Sequence, residues 1–338
     1  MTELEVLEQE LLKPSKALID QMAELDGDIM LLGVGGKMGP SMARLARKAI
    51  GLAGVRKRVI GVSRFSEPSL KNALQEDGIE TFSADLLNET DLAALPDVKN
   101  ILYLAGTKFG TTGKEAFTWA MNAYLPGRVA DRFKHSRIVA FSTGNVYPFM
   151  PVTSGGSSED QPTGPIGEYG QSCLGRERVF QYFSALNNTP VLIYRLNYAV
   201  DLRYGILLEI AKAVNEERSI DLSTGNVNVI WQGDANEIAL RALRHCEIPA
   251  KILNVTGPET VSIQWLAEQF GRIFGKEPVF INEAQPTALL SNASEAHHLF
   301  GYPKVSLKQI IALTAEWITQ GGHTFGKATH FQERNGKF

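Results

Sequence analysis

LLGVGGKMG, residues 31–39, is the stretch that decides the fold. Its glycines Gly33, Gly36 and Gly39 form a G-x-x-G-x-x-G pattern that follows an apolar run and precedes a helical pattern. Glycine lacks a Cβ, so the backbone of such a turn can approach a pyrophosphate, which then lies at the positive end of the helix. A glycine pattern alone is a weak signal, and the strand–turn–helix context strengthens it. The stretch therefore predicts a site for NAD or NADP.

Short apolar runs alternate with helical patterns from residue 28 to residue 197. The runs predicted as strands are DIMLLG (28–33), RVIGVSR (58–64), GIETFSADL (78–86), KNILYLAG (99–106), SRIVAFST (136–143) and TPVLIYRLN (189–197). Helices are predicted over 37–50, 67–77, 89–95, 114–133 and 167–187. Continuously apolar strands that alternate with helices are typical of a parallel sheet covered on both faces. The predicted fold class is therefore α/β, with a Rossmann-type doubly wound parallel sheet.

After Asn197 the pattern changes to longer helices and sparse strands, which predicts a smaller α+β C-terminal substrate region. Helices are expected near 203–217, 234–245, 262–275, 287–300 and 306–319, and strands near 227–231, 251–255 and 279–281. The predicted organisation is an N-terminal helical extension (1–26), a dinucleotide-binding domain (27–197), a substrate-binding region (198–320) and a C-terminal tail (321–338).

Two terminal segments leave alternatives open. The N-terminal extension has Leu4, Leu7, Leu11, Leu18 and Leu25 at roughly helical spacing. It either packs on the core or on a partner subunit, or it forms a solvated arm. The C-terminal tail is either disordered, which is the default for a terminus, or folded over the pocket as a lid.

The composition excludes several classes of function. A net charge of −3 gives no electrostatic reason to expect nucleic acid or an anionic membrane as a partner. Two cysteines, Cys173 and Cys246, cannot form a disulfide framework, and no ligand spacing for a metal is found among cysteines or histidines. The N-terminus lacks a basic segment followed by an apolar run. We therefore expect a cytoplasmic protein without a bound metal.

The end of the second predicted strand bears on which nucleotide binds. NAD-binding proteins usually carry an acid there that holds the ribose hydroxyls, whereas this sequence has Ser63 and Arg64. Arg64, together with Lys37, suits a 2′-phosphate, which favours NADP over NAD. In the alternative, Arg64 only stacks on the adenine. Asp85 is placed either to reach the adenine amino group or to be a solvated loop acid.

Several motifs together resemble the extended short-chain dehydrogenase/reductase family, of the NAD-dependent epimerase/dehydratase type, over residues 28–320. Besides the glycine turn, the segments that carry this resemblance are AFSTGNVYP (140–148), EYGQSCLGRERV (168–179), YRLNYA (194–199), WQGDANEIALRAL (231–243) and LNVTGPETVSIQWLAEQFG (253–271). The resemblance implies hydride transfer with a nicotinamide cofactor and a homodimer formed through helices 114–133 and 167–187. The residues expected to contact the cofactor are Gly33, Gly36, Lys37, Met38, Gly39, Ser63, Arg64, Asp85, Leu86, Ala105, Gly106 and Tyr169.

The same resemblance implies catalytic roles. Thr143, or Ser142, matches the hydroxyl that orients the substrate, and Tyr169 matches the tyrosine of Y-x-x-x-K, the general acid/base. The lysine of that motif is replaced by Cys173, which carries no positive charge to favour the phenolate. Three interpretations follow: Lys108 after the fourth strand substitutes, the charge of the oxidised nicotinamide and a water suffice, or catalysis is lost. Cys173 itself is either a thiolate or a buried core residue.

Substrate contacts are expected from Asn197, Arg203 and Glu159, and Asn122 matches an asparagine that packs behind the active site. Members of the family that bind nucleotide-diphosphate sugars usually carry an arginine before the VDD turn, where this sequence has Val227 or Asn228. The missing charge favours a smaller polar substrate, although Arg203 is able to supply it.

These observations predict an NAD(P)-dependent oxidoreductase or epimerase that acts on a small carbohydrate-like substrate. Gly144 and Asn145 stand where family dehydratases carry an acid pair, which argues against dehydration. The alternative function is a nucleotide-binding sensor or scaffold that has lost catalysis.

Overall fold

A computed structural model describes residues 12–108, 110 and 112–337. The chain forms two compact units. The first unit comprises the chain up to Ser142, Glu168–Arg195 and Asn236–Leu253, and the second comprises Thr143–Gly167, Leu196–Ala235 and the chain from Asn254 onward. The units are therefore built from alternating segments of the chain, whereas the sequence pattern predicts consecutive domains.

The strands of the described residues are given in chain order. They are β1 (Ile29–Leu32), β2 (Val59–Ser63), β3 (Glu80–Ser83), β4 (Asn100–Tyr103), β5 (Arg137–Thr143), β6 (Met150–Pro151), β7 (Val191–Leu196), β8 (Ala199–Val200), β9 (Ser219–Asp221), β10 (Asn226–Val227), β11 (Ile230–Trp231), β12 (Lys251–Val255), β13 (Val261–Ser262), β14 (Val279–Ile281) and β15 (Thr287–Ala288).

The α-helices of the described residues are α1 (Lys16–Glu24), α2 (Gly39–Leu52), α3 (Pro68–Glu76), α4 (Glu89–Ala93), α5 (Glu115–Trp119), α6 (Leu125–Arg132), α7 (Gly167–Asn187), α8 (Ile206–Asn215), α9 (Gln232–Ala242), α10 (Ile263–Phe274), α11 (Ser294–Phe300) and α12 (Leu307–Thr319). A π-helical turn, Ala120–Tyr124, joins α5 to α6. Within the described part of the chain, no helix combines the length and apolar character that a membrane span needs.

The central sheet has seven strands in the order β3-β2-β1-β4-β5-β7-β12. The pairings from β3 through β2, β1 and β4 to β5 are parallel. All four residues of β1 and of β4 are buried, as expected for strands covered by helices on both faces. The predicted Rossmann-type fold is confirmed, and Lys251–Val255 extends the sheet beyond the six strands expected before residue 197.

The described part of the N-terminal extension is packed into the first unit. Ser15 caps α1 by accepting a hydrogen bond from the Leu18 backbone N–H, and Leu18 and Met22 are fully buried. The Gln21 side chain donates to the Leu240 carbonyl at 3.0 Å. This segment is therefore no solvated arm, while Leu4, Leu7 and Leu11 lie outside the described residues.

The second unit combines α8, α10 and α12 with short strand pairs. Strands β9 and β14 pair in parallel, and β10 with β13 and β6 with β15 pair antiparallel. The helix predicted over 287–300 is wrong in its first half, because Thr287–Ala288 pairs with β6 and the helix occupies only Ser294–Phe300. The Asn292 side chain accepts from the Ser294 backbone N–H at 2.9 Å, a local bond that competes with a continuous helix.

The long loop before α7 is tied to the second unit by its backbone. Ser157 N–H donates to the Leu290 carbonyl at 2.9 Å, and Asn292 N–H donates to the Ser157 carbonyl at 2.8 Å. Gly156 has φ +89, and a Cβ there would lie 2.7 Å from the carbonyl carbon of Ser291. Only glycine fits this close approach, so the loop has one defined path.

Candidate functional site

The glycine turn lies against the end of the fourth strand. Gly33 has φ +93, and a Cβ on it would lie 2.7 Å from the Ala105 backbone nitrogen. A Cβ on Gly39 would overlap the Val34 carbonyl oxygen. Gly36 differs, because its Cβ position meets only the Gly33 carbonyl oxygen, at 3.5 Å. Gly33 and Gly39 are thus required for close packing of the turn. Gly36 instead faces open space, because no atom other than the Gly33 carbonyl oxygen lies near its Cβ position.

The helix that follows the turn begins without a side-chain cap. Met38 occupies the N-cap position and, in the described structure, makes no capping hydrogen bond with its side chain. The first backbone N–H groups of a helix need acceptors, and a phosphate is one that suits the helix dipole. The open space at Gly36 and the uncapped end of α2 together fit a pyrophosphate.

The end of β2 is also close to the turn. A Cβ on Gly35 would lie 2.5 Å from Ser63 Oγ, so Ser63 packs directly beside the glycines. Arg64 is exposed, and Lys37 and Met38 are half-buried. This exposure leaves Arg64 able to reach either a 2′-phosphate or an adenine ring, and both alternatives stand.

The third strand ends in a local turn built by Asp85. Its carboxylate accepts from the Leu87 backbone N–H at 3.0 Å, and its own N–H donates to Asp91 at 2.8 Å. Leu86 is buried and Asp85 is exposed. The carboxylate therefore has a structural use in the turn, and its contact with adenine stays a prediction.

Asn122 holds the segment that follows β4. Its side chain accepts from the Thr107 backbone N–H at 2.9 Å and donates to the Thr107 carbonyl at 2.9 Å. It is fully buried in the π-helical turn. Asn122 thereby fixes the backbone between Gly106 and Lys108, at the carboxyl edge of the sheet where ligands bind in folds of this type.

Tyr169 and Cys173 lie on one face of α7, because residues four apart on a helix are neighbours. Tyr169 is half-buried, and Lys108 Nζ lies 5.7 Å from the centroid of its ring. Cys173 is fully buried, and this burial raises the pKa of its thiol. The thiol therefore stays neutral, as a buried core cysteine does, and the distance places Lys108 beside Tyr169.

Arg176, one further turn along the same face, was not singled out by the sequence analysis. Its buried guanidinium donates to the Phe141 carbonyl at 2.7 Å and to Asn122 Oδ1 at 2.7 Å. It lies directly beneath the exposed Gly106, where a Cβ would overlap its Nη2 atom. A cation thus occupies the space between the end of β4 and the helix that carries Tyr169.

The charge of Arg176 is coupled to neighbouring groups that can ionise. Burial alone lowers the pKa of Arg176, and interactions with Cys173, Tyr103 and Tyr169 raise it above its usual value. The coupling is mutual, since a cation that is stabilised by a phenolate stabilises that phenolate equally. The face of α7 therefore carries a positive charge near Tyr169 although the lysine of the motif is missing.

Ser142 is held in a buried ionic network. Its hydroxyl donates to Glu177 Oε1 at 2.5 Å, and Arg195 donates to both oxygens of Glu177, at 3.0 and 2.6 Å. Arg195 and Glu177 are almost fully buried. This network occupies the Ser142 hydroxyl, which favours Thr143 as the hydroxyl that orients the substrate. Thr143 is the last residue of β5 and accepts from the Asn145 backbone N–H at 3.2 Å.

The predicted substrate residues lie in the second unit and make internal contacts there. Asn197 donates to Asn228 Oδ1 at 2.9 Å and to the Leu289 carbonyl at 3.2 Å. Glu159 accepts from the Asn254 backbone N–H at 2.8 Å. Arg203 forms a two-pronged ion pair with Asp201, with distances of 3.1 and 2.6 Å. Each of these side chains has a structural partner, and contact with a substrate stays a prediction for all three.

In the described ranges of the chain, no three His, Cys, Asp or Glu side chains lie close enough together to hold a metal ion.

No protein-family model and no curated protein matches the sequence. Solved structures with the same fold include UDP-glucuronic acid 4-epimerase from Bacillus cereus, with a TM-score of 0.72, 22% identity and coverage of 87% of this chain and 99% of that chain. UDP-glucose 4-epimerase from Thermotoga maritima has a TM-score of 0.70 at 16% identity, with the same coverage. The dTDP-glucose 4,6-dehydratase DesIV from Streptomyces venezuelae has a TM-score of 0.73 at 16% identity, covering 87% and 97%. At these identities the likeness establishes the fold.

Proposed function

We propose that the protein is an NAD(P)-dependent oxidoreductase or epimerase that acts on a carbohydrate-like substrate by hydride transfer. The observation that carries the proposal is the glycine turn with its open space at Gly36, in the same unit as Tyr169 and its neighbouring cations. The three similar structures support it, since each is named as an epimerase or dehydratase of a nucleotide sugar, and two of them were solved with NAD.

The residues of the turn suit the cofactor. The backbone at Gly36 and the uncapped N-terminus of α2 would receive the pyrophosphate, with Ser63, Arg64 and Lys37 nearest the adenosine ribose. The cofactor, when bound, supplies the acceptor and donor of hydride. NADP stays the favoured nucleotide in this proposal, because Arg64 suits a 2′-phosphate. Two of the similar structures contain NAD, which supports NAD as the alternative nucleotide.

In the proposed chemistry the phenol of Tyr169 takes the hydroxyl proton of the substrate, and Thr143 orients that hydroxyl. Lys108 and Arg176 provide the positive charge that the missing lysine would otherwise supply, because a cation near a phenol stabilises its phenolate. Asn122 positions both, since it holds the backbone before Lys108 and accepts from Arg176. In an oxidoreductase the ketone is released as the product and the hydride stays on the cofactor, whereas in an epimerase the hydride returns to the opposite face of the transient ketone.

The alternative function, a nucleotide-binding sensor or scaffold, is favoured by one observation. Cys173 stands where the motif has its lysine, and its buried thiol carries no charge. This alternative predicts cofactor binding without turnover, whereas the enzyme requires both.

The test of the nucleotide site is Gly36→Ala, with Gly51→Ala in helix α2 as the matched control. The methyl group that alanine adds at position 36 has room in the free protein but fills the space proposed for the pyrophosphate. The methyl group added at position 51 meets only the flexible end of Arg47, at 3.9 Å. We expect the affinity for NAD and NADP, measured by calorimetry, to fall at least about tenfold in the first variant, about 1.4 kcal/mol. The control should bind as the unmodified protein does. Absence of binding by the unmodified protein contradicts the proposal.

A homodimer is also proposed. Helices α5 to α7 expose large apolar side chains in the first unit: Phe117, Trp119, Tyr124, Tyr182 and Leu186. Aromatic side chains of this kind are enriched at protein interfaces, and a second copy of the chain is the partner that the resemblance implies.

A further inference from the structure

The C-terminal tail of the second unit follows a defined path. Trp317 Nε1 donates to the His323 carbonyl at 3.0 Å, and Phe325 N–H donates to the Arg203 carbonyl at 3.0 Å. Farther along, Thr329 Oγ1 donates to Glu209 at 2.6 Å, and Phe331 is buried. These contacts contradict the expectation of a disordered tail, and they carry Arg334 to a fixed place.

Arg334 is half-buried between β15 and the long loop of the same unit. Its guanidinium donates to the Thr287 carbonyl at 2.8 Å and to Thr287 Oγ1 at 2.7 Å, with a longer contact to the Ser223 carbonyl at 3.5 Å. It stacks over the Phe149 ring, 4.1 Å from the centroid. Such stacking and planar donor geometry hold a guanidinium rigidly.

No carboxylate of the described residues forms an ion pair with Arg334. A guanidinium has five N–H donors. In Arg334, Nη1 uses two and Nη2 uses one on acceptors of the described residues. The Nε–H and the second Nη2–H have no acceptor among these residues. Burial lowers its pKa, and only Tyr198 acts in the opposite direction. A partly buried cation without an anionic partner is costly. Arg203 differs, because Asp201 neutralises it.

Tyr198 gives a second, independent observation. It has φ +42, a left-handed conformation that is strained for a bulky aromatic residue, and backbone strain of this kind clusters at functional sites. Its phenol is close enough to Arg334 for their charges to interact, and burial raises its pKa to about 12. A protonated phenol and a guanidinium whose charges interact are two groups of donors that suit an anion.

Arg334 also lies near the place where the expected arginine is missing. Val227 or Asn228 stands there, and both side chains are buried. Val227 belongs to β10, which is a neighbour of β15, the strand that holds Thr287. Arg334 of the tail therefore places a positive charge near β10, where the sequence of that strand has no cationic residue.

We propose that Arg334 and Tyr198 bind an anionic group, a carboxylate or a phosphoryl group, of the protein's ligand. Assigning that ligand as the substrate rests on the proposed function, whereas anion binding itself does not. The site changes the expected substrate from a neutral polyol-like compound to one that carries negative charge.

The test is calorimetric titration of the full chain with UDP, glucuronate and glucose. We expect binding of at least one anionic probe and none of glucose. Binding of UDP alone assigns a phosphoryl group, and binding of glucuronate alone assigns a carboxylate. Arg334→Gln should weaken that binding about tenfold or more, corresponding to loss of a charge-assisted bond. Arg334→Lys should recover part of it, and Lys337→Gln, a charge removed from the exposed end of the same tail, should leave it unchanged.

Thermal unfolding and NAD affinity, measured on the same samples, separate the outcomes. If Arg334→Gln lowers the unfolding temperature but keeps the affinity for the anion, Arg334 only docks the tail and the proposal is wrong. It is also wrong if the unmodified protein binds NAD but neither anion. Failure to bind NAD with the anion still bound overturns the proposed function instead.

Discussion

At the scale of single residues, the proposed chemistry depends on positive charge near Tyr169. Lys108 lies 5.7 Å from its ring centroid, and the buried Arg176 is coupled to it electrostatically. These two cations differ in their attachment. Lys108 is on a loop, whereas Arg176 is fixed by the Phe141 carbonyl and Asn122. Their separate contributions can therefore be tested.

Tyr169→Phe should abolish turnover and leave the affinity for the nucleotide nearly unchanged. The phenyl ring keeps the packing but cannot transfer the proton, a function that contributes about 10²–10⁴-fold in rate. Steady-state kinetics and nucleotide titration check both statements. Tyr182→Phe, at an exposed tyrosine of the same helix, is the control and should react normally. Equal turnover by Tyr169→Phe and the unmodified protein would remove Tyr169 as the acid/base.

Lys108→Met should raise the apparent pKa of the ascending limb of the pH–rate profile, the limb on which Tyr169 loses its proton. Removing a cation disfavours the anionic form of a neighbouring acid, so a higher pH is needed to form it. The profile of kcat/KM reports this shift in the free enzyme. Lys114→Met, which removes a lysine from the same stretch of chain, should give the original profile. An unshifted profile for Lys108→Met would leave Arg176 as the sole cation for this role.

The turn between β1 and α2 and the position of Tyr169 on α7 could be predicted because their information is local, in the spacing of residues within one turn or one helix. Arg176 could not. The motif places its cation four residues after the tyrosine, whereas here the charge comes seven residues after it. Its partners, Phe141 and Asn122, are distant in sequence. The same limit applies to Arg334, whose partner Thr287 precedes it by 47 residues.

At the scale of elements, strands buried on both faces were predicted well, and the second unit less so. The continuous apolar runs define β1, β4 and β5 without any knowledge of their neighbours. Thr287–Ala288 shows the opposite case, since its pairing with Met150–Pro151 lies far away in sequence. Short strands carry too few residues for a periodic signal, so their pairing is decided by tertiary contacts.

Helix α7 is joined to the sheet by the Glu177 carboxylate, which binds Ser142 on β5 and Arg195 on β7. Glu177→Gln should lower the free energy of unfolding by about 3–5 kcal/mol, because it leaves the Arg195 charge buried without its anion. Urea denaturation measures this loss. Arg178→Gln, at an exposed position of the same helix, should change stability by less than about 0.5 kcal/mol. A loss for Glu177→Gln no larger than that of the control would mean that the network contributes little.

At the scale of the whole molecule, the exposed apolar side chains of α5 to α7 need an explanation. Gly175 allows close packing of α7 against Ala123 and Trp119, since a Cβ there would lie 3.2 Å from the Ala123 methyl. The inner faces of these helices are thus already used. Their outer faces expose Tyr124 and Tyr182 at 62% and 61%, and a group of exposed apolar side chains on neighbouring helices is typical of an interaction surface.

Tyr182→Glu should convert the proposed dimer into a monomer. A carboxylate placed in an apolar interface between two copies has to be buried without a partner, which weakens association. Sedimentation equilibrium of the intact chain measures the dissociation constant, which should rise at least about a hundredfold, about 2.7 kcal/mol. Leu52→Glu at the end of α2 is the matched control, because Leu52 is equally exposed, at 60%, but lies on another helix. A dimer that persists in Tyr182→Glu and dissociates in Leu52→Glu would place the interface at α2, and a monomeric unmodified protein would exclude the homodimer.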